Sequence, residues 1–280
     1  MKATPESRTL IVCHVEKCGG TSLTSALVDR HGVRHVDLIP WRGRSPLATE
    51  RDLRRTLRMR PTPLSISGHA LRPWLKPLRA FSNIAVTLRE PAGRAVSDFL
   101  HNRDRRGGTT DFTEWAKSNG NFITSTFSQS CSLDEAVEIA SQVDYFVFTE
   151  NWTTDAGLLF AGMGWGVPLE AHTNKGRTST TEARDIRREH ADVIAEHNQL
   201  DILLVAQIRA EQAKAREEVE SPLISNAPRS RRSSFHQISY RAFRNLVVKP
   251  AAGVMPATTY APAQYRSRSN VSSPENLHQV

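Results

Sequence analysis

Residues 9–23 constrain the fold of this chain more than any other stretch, because three patterns follow one another there. The first part is an apolar run that contains Leu10, Ile11, Val12 and Val15. It is interrupted at residues 16–20, after which apolar residues recur at helical spacing from Leu23 onward. We therefore predict a buried strand, a tight loop and a helix in direct succession.

The loop between this strand and this helix has the features of an anion site. Such a turn directs unpaired backbone N–H groups and the positive end of the helix dipole at one point. Lys17 adds a cation, and Thr21 and Ser22 add hydroxyl donors. Gly19 and Gly20 allow the backbone to approach a ligand closely. We predict a phosphate or sulfate site, with a purely structural turn as the alternative.

The position of the lysine argues against the common nucleotide-binding loop. Lys17 precedes the glycine pair, whereas the Walker A lysine follows a Gly-x-x-x-x-Gly spacer. An ordinary P-loop kinase or ATPase is therefore disfavoured.

The segment from His14 to Ser22 resembles a known motif. Its sequence, His-Val-Glu-Lys-Cys-Gly-Gly-Thr-Ser, is similar to the H-[IV]-x-K-[TC]-[GA]-G-T-S phosphosulfate-binding loop of the sulfotransferase superfamily. The similarity is to the carbohydrate branch, which includes heparan sulfate 2-O- and 6-O-sulfotransferases and bacterial relatives. These enzymes transfer a sulfonate group from 3′-phosphoadenosine 5′-phosphosulfate (PAPS) to an acceptor hydroxyl. The resemblance implies a donor-binding loop made of Lys17, Cys18, Gly19, Gly20, Thr21 and Ser22.

A second motif lies within residues 83–101, which are predicted to form a buried strand followed by a helix. Pro91 fits the first helical turn, where its missing N–H costs little. The segment resembles the family's LR[DE]P-x-x-R-x-x-S-x-[FY] motif for the 3′-phosphate of the donor. The resemblance implies that Arg89 and Ser97 hold this phosphate, through a guanidinium fork and a hydroxyl donor. It implies a structural or electrostatic role for Arg94.

His69 is the candidate general base. Residues 64–70 are predicted to contain a short alternating strand that ends in Gly68 and His69, and open α/β sheets bind their ligands at the carboxyl ends of the strands. In the resembling family a Gly-His pair in this place supplies the base, because a neutral imidazole can accept the proton of an attacking hydroxyl. The alternative is a histidine satisfied structurally by loop carbonyl groups.

Weaker similarities suggest four further contacts. Asn121 and Thr124 fall in a segment that lines the cleft of the family and are candidate acceptor or nucleotide contacts. Asn174 and Lys175 resemble an N-K-[ST] turn that closes over the nucleotide in relatives. An ordinary surface turn is the alternative for the second pair.

Other patterns predict the remaining structure. We expect a basic, half-buried helix over residues 48–59, an exposed loop over 102–110 and strong helix over 181–217. Asp155 is expected to have a structural role.

The charge distribution separates a body from a tail. Residues 221–280 hold eight Arg and Lys against Glu275 alone, so this tail has a net charge of +7 out of +8 for the chain and leaves +1 for residues 1–220. A nearly neutral body does not predict nucleic-acid binding. The Ser, Arg, Pro and Ala content predicts a disordered tail with one possible helix over residues 235–249. This segment is either a simple solvated tail or a helix that contacts an anionic membrane or a polyanionic acceptor.

The cysteines indicate a reducing compartment. Cys13, Cys18 and Cys131 form no CxxC pair and no zinc set with histidine, so we expect reduced thiols. Cys18 lies at a predicted helix N-terminus beside Lys17, a setting that lowers a thiol pKa, and is either a reactive cysteine or simply a small loop residue. The chain has neither a membrane-length apolar run nor a signal-peptide core, and we expect a soluble, cytoplasmic protein.

The resemblance covers residues 9–210 and implies a three-layer, P-loop-like α/β fold with a mostly parallel central sheet flanked by helices. We expect this domain over residues 1–220 and the tail over 221–280. The implied activity is PAPS-dependent sulfonate transfer without a metal, in which Lys17 stabilises the departing phosphate and His69 is the base. The branch favours a glycan acceptor over a lipid or small metabolite. A nucleotide-dependent phosphotransferase and a non-catalytic nucleotide-binding protein of the same fold are the alternatives.

Overall fold

A five-stranded parallel sheet forms the centre of the protein. The computed structural model describes residues 9–40, 47–59, 62–75, 83–165 and 180–218. Its strands are β1 (Leu10–His14), β2 (His35–Asp37), β3 (Ser65–Gly68), β4 (Asn83–Leu88) and β5 (Tyr145–Phe148). They pair in the order β2-β3-β1-β4-β5, and each pairing is parallel. The predicted α/β class and parallel sheet are confirmed.

Helices follow the strands along the described chain. They are α1 (Gly20–His31), α2 (Glu50–Met59), α3 (Pro91–Arg106), α4 (Phe112–Asn119), α5 (Phe122–Phe127), α6 (Leu133–Ala140), α7 (Trp152–Gly162), α8 (Thr180–Glu189), α9 (Ala191–His197) and α10 (Gln199–Glu218). A 3₁₀ turn at Gly32–Arg34 joins α1 to β2. No helix in these described ranges is both long enough and apolar enough to cross a membrane.

Helices cover both faces of the sheet. Leu10 and Val12 of β1 pack with α1 and α7, whereas Ile11 and Cys13 pack with α2, α5, α6 and α10. This alternation follows from the two-residue period of a strand. A further apolar cluster around Phe99 joins α3, α4, α8 and α9. Because helices cover both faces, the strands are largely buried, and β1, β4 and β5 are mainly apolar in sequence.

The carboxyl end of β1 lies where the order of strands switches from one side of the sheet to the other. From β1 the chain passes through α1 to β2 and β3 on one side, and then crosses to β4 and β5 on the other. The connections after β1 and β4 therefore leave in opposite directions, which opens a crevice between them. On its other side β1 pairs with β3, where Cys13 lies beside Gly68. The loops after β1, β3 and β4 thus meet at one edge of the sheet.

The predicted place of Pro91 in a first helical turn is confirmed, and capping residues mark other helix ends. Gly32 caps the end of α1, and Pro91 is the first residue of α3. Asp111 and Ser132 cap α4 and α6 by accepting a hydrogen bond from a backbone N–H. Asp155 has the expected structural role, since its carboxylate accepts a 2.9 Å hydrogen bond from the backbone of β5.

The prediction of a loop over residues 102–110 is wrong for its first half. Helix α3 continues to Arg106 and ends at Gly107, which has a left-handed φ of 64°. Arg103 stabilises the added turn through ion pairs of 2.7 Å with Asp104 and with Glu182 of α8. Basic side chains in a last helical turn also favour the helix dipole. The extra turn brings Arg106 within 4.0 Å of Glu16, in the loop after β1.

The predicted helix over residues 181–217 is interrupted twice. The backbone leaves helical geometry at His190 and again at Asn198, which separates α8, α9 and α10. The buried Asn198 side chain donates a 3.0 Å hydrogen bond to the carbonyl oxygen of Ile194. Such local bonds from asparagine compete with continuous helix.

Helices α5 and α10 stabilise each other through buried polar contacts. The carboxylate of Asp201 accepts hydrogen bonds from the backbone of Ile123 (2.9 Å) and from both the backbone and hydroxyl of Thr124 (2.7 and 2.8 Å). In return, the Asn121 amide oxygen accepts from the backbone of Leu200 at 2.9 Å. These contacts tie two distant parts of the sequence together.

Asp201→Ala should therefore destabilise the fold strongly. The change leaves two backbone N–H groups and one hydroxyl buried without a partner, which we expect to lower the free energy of unfolding by about 3 kcal/mol. Urea denaturation measures this loss. Asp192, exposed on α9, is the matched control, and Asp192→Ala should change stability by less than about 0.5 kcal/mol. Equal effects of both changes would contradict the structural role of Asp201.

Candidate functional site

The loop after β1 leaves the N-terminus of α1 without a side-chain cap. The backbone is left-handed at Lys17 (φ 64°) and at Gly19 (φ 77°), and Gly20 begins the helix. No side chain caps α1, and its first turn has no acidic residue. Within the described chain, the backbone N–H groups of Gly19, Gly20 and Thr21 make no hydrogen bond to another backbone group. The predicted anion site therefore has free donors at a helix N-terminus.

The Lys17 ammonium adds a partly desolvated positive charge to this loop. Burial lowers its pKa, while the carboxylates of Asp98 and Glu16 raise it and the guanidinium groups of Arg106 and Arg89 lower it. Among the described residues Lys17 has neither a hydrogen bond nor an ion pair within 4 Å. The charge is thus held in the site without being neutralised by direct contact.

Arg89 and Ser97 lie on the same side of α3, as the second motif predicts. A Cβ atom at Gly93 would lie 3.0 Å from Nε of Arg89, so this guanidinium passes close to Gly93. Ser97 is one helical turn further on, on the same face, and is the one residue among 94–100 that is not buried. The positive charge of Arg89 also acts on Lys17. The two motifs are therefore brought to one crevice.

The sequence analysis missed two residues of this crevice, Asp98 and His101. Burial is the largest cause that lowers the pKa of His101. The charge of Lys17 lowers this pKa further, whereas the carboxylate of Asp98 raises it. Asp98 also raises the pKa of Lys17. His101 is four residues after Ser97 on the same helix, so helical spacing places both residues on one face. This spacing is the sequence signal that could have predicted His101.

The two ring systems of His69 and His14 are in contact. His14 is the last residue of β1 and His69 follows β3, the neighbouring strand. Their ring centroids are 3.7 Å apart and the planes are inclined by 31°. Only 7% of His14 is exposed, whereas His69 is open to solvent. The candidate base therefore covers a second, buried imidazole.

The surroundings of His69 favour its neutral form. Its pKa is lowered by burial first of all, because the side chain packs against its neighbours although the residue as a whole is exposed. The carboxylates of Glu16 and Asp37 and the backbone of His14 raise the pKa, and Arg72 lowers it. Arg72 also donates a 2.6 Å hydrogen bond to the backbone oxygen of His69. A neutral imidazole is the form that can accept a proton.

Gly20 is required for a reason that the sequence analysis did not give. A Cβ atom at this position would overlap the His14 ring. Gly19 is needed for its left-handed backbone, and a Cβ there would lie 3.1 Å from Oγ1 of Thr149. The glycine pair therefore shapes the loop and also makes room for the buried histidine.

The hypothesis of a reactive Cys18 is wrong. The thiol is buried in the main apolar core, and burial raises its pKa to about 12, more than Arg94 and Arg89 lower it. Helix-terminus activation needs a thiol that reaches the open end of the helix, and this side chain points into the core instead. Any contribution of Cys18 to ligand binding must come from its backbone. Cys13, Cys18 and Cys131 are free thiols, as predicted.

Other candidates do not join the crevice. Thr124 is fully buried and Asn121 binds the start of α10, so both contribute to structure. Arg94 is also fully buried, with its guanidinium 4.6 Å from the centre of the Phe122 ring. The backbone N–H of Ser22 is used within the loop, at 3.0 Å from the oxygen of Gly19, while the contact predicted for its hydroxyl stays a prediction.

The remaining candidates lie outside the described residues. These are Asn174, Lys175 and the whole tail over 221–280.

Neither a scan against models of protein families nor a search of curated proteins finds a match for this chain. Its function is therefore inferred from its residues and their geometry, together with the resemblance described above.

Gly20→Ala should destabilise the protein because of the His14 ring. We expect a loss of about 2 kcal/mol in the free energy of unfolding from the steric overlap. In the His14→Ala background the same change should cost close to nothing, since the overlapping ring is gone. Urea denaturation of the four proteins of this double-mutant cycle gives the coupling. An equal cost in both backgrounds would show that Gly20 serves the backbone alone.

Proposed function

We propose that this protein is a PAPS-dependent sulfotransferase with a P-loop-like fold. The observation that carries the proposal is the uncapped N-terminus of α1, where Lys17 lies without an ion pair among the described residues. Arg89 directly follows β4 and Ser97 lies on α3 after it, whereas His69 directly follows β3. Because β3 and β4 flank β1, Arg89 and His69 follow the carboxyl ends of the strands on either side of the Lys17 loop. The central position of β1 in the parallel sheet supports the P-loop-like type.

The residues of the crevice suit a donor with two anionic groups. The N–H groups of Gly19, Gly20 and Thr21, together with Lys17, suit the phosphosulfate. Arg89 and Ser97 supply a fork and a hydroxyl for a 3′-phosphate. The N-terminus of α3 is not free for this purpose, because the Glu90 side chain accepts hydrogen bonds from its first N–H groups.

The donor supplies an activated sulfonate group, and the protein's residues would guide its transfer. Lys17 and the loop N–H groups stabilise the negative charge that develops on the departing phosphate. His69, neutral and open to solvent, accepts the proton of the acceptor hydroxyl as its oxygen attacks sulfur. The branch resembled favours a glycan as the acceptor.

Binding of adenosine 3′,5′-bisphosphate, the expected product, tests the donor site. Lys17→Met keeps the length of the side chain and removes its charge, so we expect a loss of at least about tenfold in affinity by calorimetry. Arg89→Ala should reduce the preference for the bisphosphate over adenosine 5′-monophosphate, because Arg89 is assigned to the 3′-phosphate.

The matched control is Lys117→Met, since Lys117 is exposed on α4 and should leave binding unchanged. ATP with magnesium is the competing ligand. A preference for ATP would favour a phosphotransferase, and the absence of binding to either nucleotide would reject the proposal.

His69→Ala should abolish turnover while leaving bisphosphate affinity within about twofold. Loss of a general base costs about 100-fold or more in rate. The assay measures transfer of labelled sulfonate from PAPS to N-acetylheparosan, chitin oligosaccharides and a glycolipid, tested in parallel. His197→Ala, on α9, is the matched control. Loss of bisphosphate binding together with activity would instead identify His69 as structural.

The pH dependence follows from the lowered pKa of His69. The neutral ring is the active form, and a pKa below the ordinary 6.5 keeps it neutral at neutral pH. Activity should therefore fall only on the acid side, with a midpoint below pH 6.5. This limb should be absent from the residual activity of His69→Ala.

A further inference from the structure

His14 is a buried imidazole at the centre of the crevice that the proposed mechanism does not use. It ends the central strand, directly before the loop that carries Lys17. Its ring lies between Gly20 of α1, where no side chain fits, and the ring of His69 at 3.7 Å. A histidine buried only for packing has no need of a second imidazole against its face. The contact with the candidate base therefore calls for an explanation.

The His14–His69 pair can carry one proton, and the geometry decides where it goes. His14 is almost fully buried, and burial first, then the charge of His69, lowers its pKa to about 2. His69 is exposed to solvent. A hydrogen bond from its ring to the backbone of His14 favours the protonated form of His69. A proton that enters the pair therefore resides on His69, and His14 stays neutral.

We propose that His14 is a positioning residue for His69 in the sulfonate transfer, with its ring, packed on Gly20, fixing the ring plane of His69 and its backbone fixing the tautomer. This role rests on the function proposed above. A hydrogen bond from one ring nitrogen of His69 to the backbone of His14 leaves the lone pair on the other nitrogen. That free nitrogen is the one that faces an acceptor in the crevice.

The step that follows is balanced. The acceptor oxygen forms a bond to sulfur while its proton moves to the free nitrogen of His69. The bond between sulfur and the bridging oxygen of the donor breaks, and its electron pair stays on the 5′-phosphate, next to Lys17. The resulting imidazolium of His69 lies beside the neutral His14 ring, which keeps the plane of the His69 ring fixed.

Other charged groups around His69 do not explain the same restraint. Glu16 and Asp37 raise its pKa and Arg72 lowers it through charge. They act from the loop after β1, the end of β2 and the loop after β3, without a ring contact. Among the described residues the ring contact of His69 is the one with His14.

Nuclear magnetic resonance titration of His69 in three proteins tests the proposal without an assay of activity. Wild type, His14→Phe and His14→Ala are compared at equal temperature and salt. His14→Ala opens to water the part of the His69 ring that contacts His14, so the pKa of His69 should rise toward 6.5. His14→Phe keeps a ring in this place, and the pKa of His69 should stay close to its wild-type value.

Sulfonate transfer gives the second readout. In His14→Ala the acid limb of the pH–rate profile should move upward by the same amount, and kcat should fall by about tenfold with KM for PAPS within about twofold. His14→Phe should retain most of kcat. Should His14→Ala fail to fold, His14→Gln takes its place, because it also lacks the ring.

The contrary outcomes are distinct. An unmoved His69 pKa and pH profile in His14→Ala, or a loss in His14→Phe as large as in His14→Ala, would overturn the positioning role. A wild type that binds no bisphosphate and transfers no sulfonate would overturn the proposed function instead. The pKa of His69 would still report whether the two rings are coupled.

Discussion

The central position of β1 is the constraint on which the remaining structure depends. Because β1 is hydrogen-bonded to β3 on one side and β4 on the other, the ends of three strands are fixed side by side. The connections on the two sides of β1 run in opposite directions, and open α/β sheets bind their ligands at such a point, beside the carboxyl ends of the strands. Each strand is followed by one residue of the proposed site: Lys17 after β1, His69 after β3 and Arg89 after β4. The hydrogen bonds between the strands therefore fix where these residues lie. β1 and the two strands paired with it thus position Lys17, His69 and Arg89.

The N-termini of α1 and α3, which both lie at this edge, differ in how they are capped. The Glu90 side chain caps α3 and also forms a 3.1 Å ion pair with Arg187, so its carboxylate occupies the place that an external anion would take. Helix α1 has no such cap and no acidic residue in its first turn. A capping carboxylate is worth roughly 1 kcal/mol of stability, and leaving it out is a cost to the fold that a bound anion offsets. The open terminus is therefore the one that suits a ligand.

The strands and helices that carry the two motifs were predictable from the sequence because each leaves a local trace. The strand, loop and helix of residues 9–23 are set by short-range periodicity and by glycine, and Arg89 and Ser97 are related by helical spacing. Burial is not local, and this is where the prediction failed. The thiol of Cys18 looks activated from its neighbours in sequence, yet the core around it raises its pKa. Thr124 was predicted to be a cleft residue, but its hydroxyl donates a hydrogen bond to Asp201, which is distant in sequence.

The glycine pair links the two halves of the proposed reaction. Gly19 adopts a left-handed backbone that turns the loop toward an anion, whereas Gly20 is needed because the ring of His14 occupies the space beside it. His14 in turn contacts His69, on the acceptor side. One short segment therefore shapes the donor loop and supports the base. A change in this loop alters both at once, so affinity for the nucleotide and the pH dependence of turnover are expected to vary together when Gly20 is replaced and separately when Lys17 is.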